Sequence, residues 1–157
     1  MEATPLQLLQ DHAAIRDTIL RFALSLDVKD WTLCRACFTE EVFTDYSALR
    51  GDPPATLTAD EFVALRRQAL EELVTHHVST NHLITVTGDE ATCLSSMVIY
   101  RRLPPAQGET TFDTHCLYEH TLVHTPEGWK IRKVKQTVLW NTGNPSIHAG
   151  VRPETER

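Results

Sequence analysis

Three of the chain's eight histidines fall within Thr75-His76-His77-Val78-Ser79-Thr80-Asn81-His82. Histidines this close suit either a metal site or an acid–base centre. A metal needs its ligands about 2 Å from one point. On a strand, His76 and His82 share a face but stand roughly 20 Å apart at ~3.3 Å per residue, and His77 points the other way. On a helix, separations of one, five and six residues miss the i, i+3 and i, i+4 spacing. The cluster is a poor metal site in either form. No metal is expected, and the chemistry falls to single histidines.

The strand face of His77 also carries Ser79 and Asn81, whereas Val78, Ile84 and Val86 lie on the other face with Thr80 and His82. The polar stripe faces either solvent or a polar pocket. In a pocket, a histidine titrating near about 6.5 is a ready general base. It needs a partner on its other ring nitrogen, usually a carboxylate. Asp27, Asp30, Asp45 and Glu119 are candidates, and spacing does not choose among them.

The elements that must position these groups are legible from periodicity. Thr4-Pro5-Leu6-Gln7 has a capping residue, a proline for the first helical position and a capping-box glutamine. Leu8, Ile15, Ile19, Phe22 and Leu26 then recur at helical spacing, which predicts a helix to about residue 26. A short helix is expected from Asp30 as cap through Phe38, and a strand over Glu41 to Ser47. Arg50-Gly51-Asp52-Pro53-Pro54-Ala55-Thr56-Leu57 reads as a loop. Thr58 and Glu61 form a capping box for a helix bearing Phe62, Leu65, Ala69 and Leu73. Four strands follow, at about 75–87, 91–103, 111–124 and 129–141, joined by turn-forming residues. Early helices against a mostly antiparallel sheet make an α+β fold. One domain over 1–143 is expected, with a loose tail over 144–157.

Composition narrows the function. The chain has 157 residues and a formal net charge of −6. Its densest basic run, Lys130 to Lys135, alternates with apolar residues, so no nucleic-acid footprint is present. No apolar run approaches the ~20 residues that span a bilayer, and no signal peptide is recognisable. No membrane partner is expected, and the cytoplasm is the default location. Cys34 and Cys37 have CxxC spacing without a second pair, so they read as buried thiols. Trp31 and Trp129 read as packing residues. His115, His120 and His124 read as surface or interface residues.

Five stretches in order carry a resemblance: Leu26-Asp27-Val28-Lys29-Asp30-Trp31, Thr44-Asp45-Tyr46-Ser47, Thr75 to Asn81, Thr87 to Ala91, and Tyr118 to Ile131. Together they resemble the SnoaL-like, scytalone-dehydratase-like branch of the nuclear-transport-factor-2-like superfamily, over about residues 8–142. The resemblance implies a cone: a curved sheet wrapped over helices with a deep pocket between them. It implies a cofactor-independent lyase or isomerase acting on a hydrophobic, cyclic small molecule of polyketide, steroid or aromatic type. It selects Asp27 as the partner of His77 and makes Tyr46 the pocket tyrosine. Arg101 falls near the second catalytic histidine of scytalone dehydratase, and Cys116 and Tyr118 at its serine and asparagine. The dehydrochlorinase arginine falls near Val134. Phe22, Phe43, Met97, Ile99, Val138 and Trp140 are the expected pocket walls, with Tyr118, Arg101, Cys116 and Asn81 as polar contacts. No cofactor is implied. Self-association as a dimer or trimer through the outer sheet face is expected. Relatives that are dioxygenase small subunits or epoxide hydrolases supply alternatives.

Overall fold

The computed structural model describes residues 3–104 and 110–148. In chain order it contains α1 (Pro5–Val28), α2 (Trp31–Ala36), β1 (Phe38–Asp45), α3 (Ser47–Arg50), β2 (Ala55–Thr58) and α4 (Ala59–Leu70). The long strands β3 (Val74–Thr87), β4 (Glu90–Leu103), β5 (Thr110–Thr125) and β6 (Gly128–Gly143) follow, then a 3-10 turn at Pro145–Ile147. The sheet order is β2-β1-β6-β5-β4-β3, and only β1 and β6 pair in parallel. This is the expected α+β architecture, with early helices packed on a mostly antiparallel sheet.

α1 starts as its sequence predicts: the Thr4 side chain accepts from the Gln7 N–H at 3.1 Å and Pro5 opens the helix. Its buried face is Ile15, Ile19, Phe22, Ala23 and Leu26, while Leu8 at the start is exposed. The helix ends at Lys29, which takes a left-handed φ of 59° and returns its N–H to the Ser25 carbonyl. Asp30 then caps α2 by accepting from the Leu33 N–H at 2.9 Å. That leaves Asp27 uncommitted to either helix end.

Phe22 packs edge-on to Phe38 at 5.0 Å between ring centroids, and Phe38 lies 4.8 Å from Phe62 on α4. Burying each such ring contributes roughly 1.5–3 kcal/mol. Cys34 and Cys37 are buried free thiols, and burial pushes them up to about 11 and about 12. Among the described residues no helix is long and apolar enough to cross a membrane.

Besides the short helix α3, which begins at Ser47 where the strand was expected to continue, the structure departs from the sequence reading in four places. The expected loop after Arg50 contains β2, which pairs antiparallel with β1 from Glu41↔Thr58 to Thr44↔Ala55. So short a strand after two prolines has little local signal; the β1 edge supplies its hydrogen bonds. The chain also enters β1 earlier, at Phe38, because α2 ends at Ala36.

The third difference lies in β3. Its register shifts between Thr80 and Leu83, and Asn81 has a φ of 56°. This bulge reverses the alternation. Thr75, His77 and Ser79 face inward before it, and His82, Ile84 and Val86 do so after it. His82 therefore does not share a face with His76: its Nε2 sits 2.8 Å from Ser79 Oγ. Asn81 itself is exposed and contacts Ser96.

The fourth difference is at the start of the tail. Gly143 has a φ of 93°, and a Cβ there would stand 2.2 Å from the Thr111 carbonyl oxygen. This close approach lets Asn144 donate its N–H to that oxygen at 2.8 Å. Residues 144–148 form an ordered turn that buries His148 against the edge of Phe112. The rest of the tail lies outside the described residues.

Candidate active site

The end of α1 and the start of β3 bring two side chains together. Asp27 Oδ1 lies 2.5 Å from His77 Nδ1, and Asp27 Oδ2 accepts the His77 backbone N–H at 2.8 Å. The Thr75 hydroxyl stands 3.1 Å from Asp27 Oδ1, and Lys29 Nζ donates to that hydroxyl at 3.0 Å. The His77 side chain is 4% exposed. Burial alone would push the Asp27 carboxyl up. The hydrogen bond and charge of His77, its backbone N–H and Thr75 together hold it below the ordinary carboxylate value. Burial lowers the His77 pKa; Asp27 opposes that, Arg101 and Lys29 add to it, and the net value is below ordinary. His77 is thus a neutral imidazole at pH 7, with Nδ1 facing an ionised carboxylate.

His77 forms one wall of a narrow cavity lined also by Phe22, Tyr46, Arg66, Ile99, Arg101, Tyr118, Gln136 and His148. The space open to water within it is about 20 Å³. A second hollow of about 230 Å³ shares Tyr46 and Arg66 as walls and continues past Leu57, Phe62 and Leu65. Two larger hollows lie on the surface, around Phe43 and Lys133 and around Asp11 and Trp129, and neither contains Asp27 or His77.

In the same cavity wall, Gln136 Nε2 donates to the Tyr118 oxygen at 3.2 Å, and the Tyr118 and Tyr46 rings meet edge to face at 6.2 Å between centroids. Burial raises both phenols above their ordinary value, Tyr118 strongly, so both stay protonated. The Arg66 guanidinium lies 4.8 Å from the Tyr46 ring centroid and draws the Tyr46 value back down.

Of the residues expected here, His77, Tyr46, Tyr118, Arg101 and Phe22 meet at this cavity, with Ile99 in its wall, and Asp27 reaches it only through its contact with His77. Cys116 and Met97 are buried just behind it: Cys116 Sγ lies 3.4 Å from the Met97 carbonyl oxygen and 3.7 Å from Gln136 Nε2. Burial pushes the Cys116 thiol up to about 11, so it stays protonated. Four expectations fail. Asn81 is carried outward by the bulge it forms. Trp140 is 53% exposed and stacks on His115 at 4.3 Å on the outer sheet face. A bulge puts Trp140 opposite His115, next to the inward-facing Cys116, so its side chain points away from the cavity. Phe43 is half-exposed beneath the Lys133 ammonium, and Val138 falls short of the cavity.

Arg66, Gln136 and His148 were missed. Arg66 shares the buried face of α4 with Phe62, Ala69 and Leu70, and a charge on an apolar stripe is a readable signal. Gln136 likewise interrupts the inward series Ile131, Val134. His148 had no signal, because a long-range turn places it. His120, expected on the surface, is fully buried between Tyr118 and Phe22. Among the described residues no three His, Cys, Asp or Glu side chains converge on one point.

The SnoaL-like domain family's sequence pattern matches residues 7–135. The chain belongs to that family. The scytalone dehydratase-like protein Arp1 of Metarhizium guizhouense is 28% identical over 128 residues, which span 75% of this chain and 74% of that protein. Among solved structures, the Kfla4162 protein from Kribbella flavida superposes with a TM-score of 0.84 at 27% identity, covering 89% of this chain and 97% of that one. A hexachlorocyclohexane dehydrochlorinase, LinA-type3 from Novosphingobium barchaimii, superposes with a TM-score of 0.75 at 16% identity, covering 96% and 100%. That second likeness is one of fold. An NTF2-like protein with a cystatin-like fold from Novosphingobium aromaticivorans superposes with a TM-score of 0.66 at 23% identity, covering 85% of each chain, again a likeness of fold.

Proposed function

We propose that this SnoaL-like protein is a cofactor-independent lyase or isomerase that removes a proton from carbon beside a carbonyl or a leaving group. The observation that carries the reading is the Asp27–His77 contact of 2.5 Å in the wall of a cavity. Nδ1 is committed to the carboxylate, so Nε2 is the nitrogen left for substrate. His77 takes the proton through Nε2, and ionised Asp27 stabilises the imidazolium that forms. Tyr46 donates its hydrogen bond to the oxygen that gains charge, whether an enolate or a departing hydroxyl. Tyr118 and Gln136 orient that donor. The scytalone dehydratase-like names of its relatives support elimination of water as the net reaction.

The inner space admits only the reacting end of a molecule. The adjoining hollow, walled by Leu57, Phe62 and Leu65, suits the body of a hydrophobic ring.

Incubation with cyclic ketones and β-hydroxyketones in deuterated water, followed by proton NMR, tests the reading. Deuterium should enter the position beside the carbonyl, or alkene should form. His77→Ala and Asp27→Asn should stay folded and lose roughly 10²- to 10⁴-fold in rate. Unchanged rates in both variants would end the proposal.

A further inference from the structure

We infer that the substrate carries an ionised acidic oxygen, a carboxylate or an acidic enol, and that Arg66 and Arg101 hold it. This rests on the reading above that the cavity is the active site. Arg66 is 8% exposed, Arg101 is 3% exposed, and both line that cavity. The Nε of each is buried with no hydrogen-bond partner among the described residues. Their direct contacts are with neutral groups, and Asp113 on β5 attracts Arg101 by charge without a hydrogen bond or ion pair to it. Arg101 Nη1 donates to Thr114 Oγ1 at 2.8 Å and to the Phe112 carbonyl at 3.4 Å. The Arg66 guanidinium rests over the rings of Tyr46 and Phe62, at 4.8 and 5.4 Å.

Charge bookkeeping points the same way. The carboxylate nearest the reacting centre is Asp27, and both its oxygens are engaged with His77. Two buried guanidinium groups therefore face a site whose own carboxylate is spent. An uncompensated buried charge destabilises a fold by several kcal/mol. A chain that keeps two of them at one cavity gains most when a ligand brings the missing negative charge. The guanidinium edge presents paired N–H donors that match a carboxylate or an enolised dicarbonyl. An acidic group held there would also fix the reacting carbon relative to His77.

The test compares 2-naphthoate with its neutral isostere 2-naphthamide, by calorimetry and thermal melting of the full chain. The inference predicts naphthoate binding at least tenfold tighter, weakening with salt. Arg66→Met and Arg101→Met should each abolish that preference. Without ligand, their melting temperatures should be unchanged or higher, because a buried uncompensated charge is gone. If either variant fails to fold, the wild-type comparison decides alone. A preference under threefold, including no binding of either compound, overturns the inference. So does a preference that survives in a folded Arg66→Met, Arg101→Met double variant. His77→Ala should keep the preference while losing deuterium exchange. Failure of the acid–base reading would leave exchange intact in that variant, so the two failures are distinct.

Discussion

Asp27 grips His77 twice, once at the ring nitrogen at 2.5 Å and once at the backbone N–H at 2.8 Å, across fifty residues of chain. One carboxylate thus sets both the orientation of the imidazole and the position of the strand that bears it. The arrangement has a definite pH consequence. Activity requires neutral His77 and ionised Asp27, and both groups titrate below their ordinary values. Activity is therefore present above the lowered His77 value and lost as pH falls through it. The acid limb of kcat/KM should lie below the ~6.5 of a free histidine. A pH profile of deuterium exchange with a limb at or above 6.5 would contradict this.

His120 should make the fold acid-sensitive. It is fully buried, both ring nitrogens lack partners among the described residues, and burial lowers its pKa to about 3. The unfolded chain binds a proton there near pH 6.5 and the folded chain does not. This contribution to stability is complete above about 6.5 and is lost as pH falls toward 3, at about 1.4 kcal/mol per pH unit at its steepest. His120→Phe should flatten urea-unfolding stability between pH 6.5 and 5 relative to wild type. An unchanged slope would refute the assignment.

Asn81 holds the bulge that aligns the lower half of β3. Its φ of 56° is tolerated by asparagine and glycine but opposed by a branched Cβ. Asn81→Val should cost roughly 1–2 kcal/mol in urea unfolding. Asn81→Gly should stay within about 1 kcal/mol of wild type. Equal stabilities for the two variants would show that the bulge does not depend on this residue.

The outer sheet face should be covered by another copy of the chain. Trp140 stacks on His115, and Leu83, Leu94 and Tyr100 lie on the same face at 70%, 43% and 45% exposure. A monomer seldom leaves so many large apolar side chains on one face. Sedimentation should give a dimer or trimer for the wild type and a smaller species for Trp140→Glu. A monomeric wild type would refute this.

Much of the fold was legible because its signals are local. The Thr4 and Thr58 caps, the apolar spacing of α1 from Ile15, and the turns between the long strands are each written within a few residues. The short β2 was not legible, because its hydrogen bonds come from β1 rather than from its own propensity.

The sequence by itself determined the order of the long helices and long strands and the mostly antiparallel sheet. With the family resemblance it also matched Asp27 to His77. Tertiary structure decided the rest. The bulge at Asn81 reversed the inward parity of β3, placing His82 with Ser79 and Asn81 outside. Packing of α4 brought Arg66 over Tyr46, and the turn after Gly143 brought His148 to the cavity. The physical reason is one of range. Periodicity reports which side of its own element a residue occupies, whereas a bulge, a strand borrowed from a neighbour and a docked helix depend on contacts tens of residues away.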